Sequence, residues 1–261
     1  MMFRSLGSWA RSNMQFVLGF LIAAAVGLTG VGAGSITAPV LILFFHLTPA
    51  AAVGTALTFA SVIKLAVLPV YLRRRQVDFR ILRLLVIGGV PGVLFGVWAL
   101  SSLNVRNHER GMFLVLGLMI FTVSLGSIYK NWRNRINVGT SDRSRWLPAI
   151  AVVIGSEVGF SSAGAGALGA LALLNLTKLS PAQVVGTDMV FGLVVSLIGG
   201  GLHFQAGHYD SAIVVKLVIG GIAGAYSGAM LSTIVPSRPL RLGLSVWLAS
   251  LGAQLCWKAL A

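Results

Sequence analysis

Acidic residues are scarce in this chain: six Asp and Glu stand against twenty Lys and Arg among 261 residues, and charged side chains of both signs make up only 10%. A soluble domain carries about 25% charged residues, so an ordinary water-soluble fold is excluded. Cysteine occurs once, as Cys256 in the last apolar segment. One thiol leaves neither a disulfide framework nor a cysteine-rich metal centre, and reads as a packing or lipid-facing residue. The four histidines, His46, His108, His203 and His208, lie at loops or at the outer end of a segment. None shows a two-ligand helical spacing beside a carboxylate, so they read as interfacial and no metal site is expected. Nucleophile elbows, phosphate loops and zinc-protease motifs are also absent. No catalytic residue, no cofactor and no enzymatic activity are therefore expected. The longest polar stretch, about 130–146, is too short for a soluble domain.

What fills the chain instead is apolar sequence, 56% of all residues. A membrane-crossing helix needs about 20 apolar residues, and suitable stretches recur at about 14–45, 50–71, 79–101, 110–129, 147–176, 182–204, 211–234 and 239–257. The formal net charge of +14 would suggest nucleic acid in a soluble protein. Here the Lys and Arg residues crowd into a few loops beside apolar spans, as the positive-inside rule requires, so the expected partner is the lipid bilayer and not nucleic acid. The first apolar run, with Arg4 and Arg11 before it and Ala23, Ala24 and Ala25 within it, has the look of a signal peptide. A repeat that begins inside it argues that it is retained.

That repeat has a fixed offset of 132 residues and aligns 27–100 with 159–232 without an insertion. It pairs Gly27 with Gly159, Gly32 with Gly164, Gly34 with Gly166, Pro49 with Pro181, and Val53-Gly54-Thr55 with Val185-Gly186-Thr187. Asp78 falls on Asp210, and Gly88, Gly89, Gly92 and Gly96 fall on Gly220, Gly221, Gly224 and Gly228. Such a register signals duplication, with a first membrane repeat over 1–129, a basic linker over 130–146 and a second repeat over 147–261.

Equivalent loops differ in charge. Arg73, Arg74, Arg75, Arg80 and Arg83 surround the corner after the second segment of the first repeat, whereas Gln205 to Tyr209 holds no Lys or Arg. Conversely Arg238 and Arg241 follow the third segment of the second repeat, and Lys130, Arg133, Arg135, Arg143 and Arg145 lie in the linker. The two copies are thus expected to be inverted in the bilayer. The expected fold is an all-α membrane protein of two inverted repeats, each a glycine-broken hairpin followed by three crossings. A conventional crossing for the first segment is the alternative.

Unwound glycine-rich backbone is tolerated at membrane depth only inside protein or against a water-filled cavity. Breaks at matching places in two inverted copies point to a transport site. Candidate substrate-binding residues are therefore Gly30, Gly32, Gly34 and Ser35 in the first hairpin and Ser161, Ser162, Gly164 and Gly166 in the second. Half-helices starting near Ser35 and Ala167 would aim their positive ends at the break and so favour an anion. Gly54, Thr55, Gly186 and Thr187 lie one turn into the next helices and join the candidates, with simple helix packing as the alternative. Thr48 and Ser180, followed by Pro49 and Pro181, read as helix starts. The glycines from Gly88 to Gly96 and from Gly220 to Gly228 have small-xxx-small spacing and read as packing residues.

Most carboxylates lie at loops, but Asp188 and Glu157 do not. Asp188 is about 10 Å into its helix from Pro181, and Lys64 about 10 Å from the inner face. Ionisable groups inside a span are functional candidates. Asp188 and Lys64 either pair with each other, structurally or otherwise, or divide the work, Asp188 carrying a coupling proton and Lys64 attracting the anion. Glu157 is a candidate second proton site, or else faces the inner water layer. The repeat breaks its symmetry here: Ala56 stands opposite Asp188 and Ser196 opposite Lys64.

The stretches GLTGVGAGSITAPVL and LTPAAAVGT, with SSAGAGALG, LSPAQVVGTD and HFQAGHYD in the second copy, resemble the TauE/SafE family of sulfite exporters and related permeases over residues 16–257. The resemblance implies a multi-pass protein of the bacterial cell (inner) membrane that moves sulfite, an organosulfonate or a related organic acid. In the family pattern an Asp can follow Gly-Thr in either copy, and the Ala56 found here leaves that role to Asp188. The expected function is a secondary transporter for a small anion, coupled to protons or membrane potential. The alternatives are a non-transporting membrane scaffold and a cation or metal permease.

Overall fold

The computed structural model describes residues 2–29, 32–105, 109–132, 143–163, 166, 168–231 and 237–260. Every long element among them is a helix: α1 Met2–Thr29, α2 Ala33–Phe44, α3 Pro49–Arg73, α4 Phe79–Val105, α5 Glu109–Trp132, α6 Leu147–Ser161, α7 Leu168–Leu176, α8 Pro181–Gln205, α9 Ser211–Leu231 and α10 Ser237–Leu260. A single 3₁₀ turn, Ser144–Trp146, leads into α6. Among the described residues, four helices are long and apolar enough to cross a membrane, namely Pro49–Arg73, Phe79–Ser102, Pro181–Gln205 and Ser211–Gly228, and shorter apolar helices accompany them. The two long opening segments divide at their glycine clusters, the first into α1 and α2, the second into α6 and α7.

Local chemistry sets the boundaries. Thr48 accepts the Ala51 N–H, and Ser180 forms a full capping box with Gln183, each just before a proline at the start of α3 or α8. The Asp78 carboxylate accepts the N–H groups of Arg80 and Ile81, and Asp210 accepts that of Ile213, so each corner aspartate caps the helix that follows.

Packing repeats itself at the same offset of 132 residues. A methyl group added at Gly88, Gly92 or Gly96 of α4 would overlap the carbonyl oxygens of Pro148, Val152 or Ser156 of α6. At Gly220, Gly224 and Gly228 of α9 it would overlap those of Phe16, Phe20 and Ala24 of α1. Absent side chains let these backbones touch, which is how helices associate where lipid removes the hydrophobic drive. Phe59 of α3 fills the space above Gly221, and Phe191 of α8 that above Gly89. The opposite faces of the glycine-bearing helices carry large exposed side chains, such as Ile87, Leu94 and Trp98 on α4 and Ile219, Ile222 and Tyr226 on α9.

The corners are tied across the repeats in the same reciprocal way. The Asp78 N–H donates to Thr187 at 3.0 Å, and the Asp210 N–H donates to Thr55 at 3.0 Å. Methyl groups at Gly186 and Gly54 would overlap the carbonyl oxygens of Gln76 and His208. The start of α8 therefore sits against the corner that ends α3, and the start of α3 against the corner that ends α8. α3 and α8 cross at Lys64 and Ser196, which are each other's counterparts and lie 3.4 Å apart.

Candidate functional site

The break between α1 and α2 meets the break between α6 and α7 in the interior, and the tips of the two breaks touch. α6 ends because Ser162 turns into the left-handed region, with φ 60°, while its N–H still bonds the Val158 carbonyl. That turn sends the Ser162 hydroxyl to the Gly34 carbonyl at 2.9 Å, and the Ser35 hydroxyl returns the contact at the Ala163 carbonyl, 3.3 Å away. Gly34 allows the approach, since a methyl there would overlap the Ser162 carbonyl oxygen. Gly32, which precedes α2 without a side-chain cap, faces the Gly166 N–H. Ser35, Ser161 and Ser162 are all buried. The structure thus brings together Gly32, Gly34, Ser35, Ser162 and Gly166, with Ser161 directly behind them; Gly30 and Gly164 lie outside the described residues.

Ser161 links this tip to a buried acid. Its hydroxyl donates to Glu157 Oε1 at 2.8 Å and accepts the Ala163 N–H at 3.2 Å. Glu157 is 5% exposed, so it does not face the inner water layer. Its Oε2 is buried and has no hydrogen-bond partner among the described residues. Such an orphaned oxygen needs an explanation, and a proton or ion exchanged during function is one.

Lys64 and Asp188 are also 5% exposed each. The Lys64 ammonium donates to Ser196 and stays within Coulombic reach of the Asp188 carboxylate. That carboxylate packs on Gly169, the second residue of α7, where a side chain would collide with it. Gly169 is inconspicuous in the sequence, although its counterpart, Thr37, differs from it.

The other candidates are placed elsewhere. Gly54, Thr55, Gly186 and Thr187 serve the corner joints, with both threonine hydroxyls taken by backbone N–H groups. Their helices start at opposite ends of the bundle, and these contacts hold each helix start to the facing corner. His203, expected at an interface, is fully buried. Its ring lies against the Gly159 carbonyl at 3.4 Å, and its Nδ1 has no partner among the described residues. Its signal in the sequence was faint, because Gly54, which makes room for it, and the Gly159 carbonyl it touches lie on other helices.

Glycine-broken helices around four buried ionisable groups, counted among the described residues, are the setting of a permease, and known proteins agree. The family model described as "Sulfite exporter TauE/SafE" matches residues 15–255. The chain belongs to the TauE/SafE family. Its relatives include Bacillus subtilis YjnA, named a probable membrane transporter protein, 31% identical over 234 residues that cover 86% of this chain and 92% of that one. Bacillus subtilis YunE, with the same description, is 26% identical over 269 residues, covering 94% and 97%. A probable membrane transporter protein of Xylella fastidiosa (strain 9a5c) is 25% identical over 227 residues, covering 82% of each chain. No solved structure matches. This TauE/SafE chain is accordingly a multi-pass membrane transporter, and the candidate site lies in its interior.

Proposed function

We propose that the protein is a secondary transporter of the bacterial inner membrane for a small anion such as sulfite, an organosulfonate or a related organic acid. The observation that carries this reading is the meeting of the two hairpin tips through Ser162 with Gly34 and Ser35 with Ala163. Backbone amides at a broken helix suit an anion, and Gly32, Gly34, Ser35, Ser161, Ser162 and Gly166 are the residues that would face it. Lys64 supplies positive charge at that depth, balanced by Asp188. Glu157, with its free oxygen, is the group that takes up the coupled proton, and Ser161 connects it to the tip.

The two repeats, 1–129 and 147–261 about the 130–146 linker, sit inverted in the bilayer, each a re-entrant hairpin plus three crossings. Several contacts support this. The Arg143 N–H donates to the Leu176 carbonyl at 2.9 Å, so the approach to α6 and the end of α7 share one end of the bundle. The joint from Asp78 to Thr187 brings the corner bearing Arg73, Arg74 and Arg75 to that same end, which collects positive charge as an inner face does. The joint from Asp210 to Thr55 gathers the corner without Lys or Arg at the other.

Uptake of sulfite, methanesulfonate and acetate into proteoliposomes under opposed pH gradients tests the function. Flux of at least one anion that follows the gradient is expected. No flux for any of them would favour a scaffold, and flux of divalent cations alone a metal permease.

A further inference from the structure

The corners that end α3 and α8 are one structure built twice. In each, a residue with positive φ closes the helix, Arg75 at 51° and Gly207 at 71°. The N–H of the next residue then reaches back to a carbonyl of the last turn, from Gln76 to Tyr71 at 3.1 Å and from His208 to His203 at 2.8 Å. At the offset of 132 residues Tyr71 is the counterpart of His203, and Gln76 that of His208. The same geometry therefore sets two imidazoles at the outer corner and none at the inner one. Imidazole is the side chain whose ordinary titration falls between pH 5 and 8.

His203 is fully buried, and the ring of half-buried His208 lies beside it with the centroids 5.9 Å apart. The Gly159 carbonyl, 3.4 Å from Nε2, can only accept, so Nε2 carries the hydrogen. Nδ1 keeps a bare lone pair, buried and with no partner among the described residues. The carbonyl is open to the ring because the Ala163 N–H, which a continuing α6 would send to it, goes to Ser161 instead. A positive charge on the ring would face the negative end of α6. His208 is the titratable group within Coulombic reach of the ring. Asp210, further along the corner, is engaged with Ile213. The neighbouring stretches 49–63 of α3 and 84–105 of α4 contain no ionisable side chain, and Glu157 is the one ionisable residue of α6.

We propose that His208 and His203 form the outer entry of the proton path to Glu157. This rests on the proton-coupled reading above. His208 takes a proton from the outer water and passes it to His203 Nδ1, which makes that ring an imidazolium. One proton then leaves the ring for Glu157 Oε2, and the ring is neutral again. Glu157 precedes Gly159 by two residues, about 3 Å along α6, so donor and acceptor share a depth. The inner corner, with Tyr71 and Gln76, has no such relay.

Sulfite flux and internal pH are followed together in oriented proteoliposomes holding a trapped pH dye, with the outer side acidified and melting temperature as the folding control. Protein-free liposomes set the background, including sulfite's own protonation. In the wild type sulfite uptake carries protons inward. His203→Gln keeps an amide N–H for Gly159 but removes the basic nitrogen, and its proton influx falls to background. His208→Gln installs the residue that the inner corner already carries, and its influx is slowed. Tyr71→Phe, at the matching inner position, keeps the wild-type influx. A folded His203→Gln protein with wild-type proton influx overturns the proposal and leaves Glu157 to be reached another way. If that variant does not fold, an unslowed influx in folded His208→Gln overturns it equally. A wild type whose sulfite flux carries no protons overturns the coupled reading and the relay together.

Discussion

Substituting Gly34 by alanine probes the contact on which the functional reading depends. The added methyl would overlap the Ser162 carbonyl oxygen, and the tips must part by roughly 1 Å before an ordinary carbon–oxygen separation is regained. That movement takes the bond from Ser162 to Gly34, now 2.9 Å, and the bond from Ser35 to Ala163, now 3.3 Å, beyond hydrogen-bonding range. Losing two buried hydrogen bonds costs about 1 kcal/mol each, and forcing the methyl into a filled space about 1–3 kcal/mol more, a total of about 3–5 kcal/mol. For a chain of this size the melting temperature then falls by roughly 6–20 °C. The six tryptophans allow it to be followed by intrinsic fluorescence in detergent, and sulfite uptake should fall with it. Gly201→Ala is the control, because a methyl there meets nothing within 4 Å. A Gly34→Ala protein that melts and transports like the control would refute the meeting of the tips.

Further outcomes are expected from the same geometry. Gly92→Ala and Gly224→Ala should each lower thermal stability by a similar amount, about 1–3 kcal/mol, because they force apart counterpart seams, and a large difference between them would contradict the reciprocal packing. Thr187→Val and Thr55→Val should each cost about 1–3 kcal/mol by orphaning the N–H of Asp78 or Asp210, with sulfite KM unchanged in the folded protein; a raised KM would return these threonines to the substrate site. Glu157→Gln keeps an oxygen for Ser161 and should retain downhill anion exchange while losing accumulation driven by a pH gradient. For one proton per anion that accumulation is about tenfold per pH unit in the wild type, so a variant that still accumulates would remove Glu157 from coupling.

Composition and repetition made the membrane class, the family resemblance and the duplication legible, since scarce charge, long apolar stretches and a fixed offset are properties of the chain itself. The caps at Thr48 and Ser180 and the glycine seams of α4 and α9 could be read for the same reason: each rests on residues close in sequence or on a spacing along one helix. The use of Thr55 and Thr187 could not, because a hydroxyl one turn into a helix serves a substrate or a neighbouring corner equally well until the partner is in place. His203 reads as interfacial in a linear count of turns, and its burial depends on residues of other helices, Gly54 and Gly159 among them. Asp188 is conspicuous as a carboxylate in an apolar run, yet its seat depends on Gly169, nineteen positions away in the chain and silent on its own. Local order and class thus follow from the sequence, whereas which hydroxyl, acid or glycine belongs to the tips is decided by three-dimensional packing, where one missing methyl group sets how closely two backbones approach.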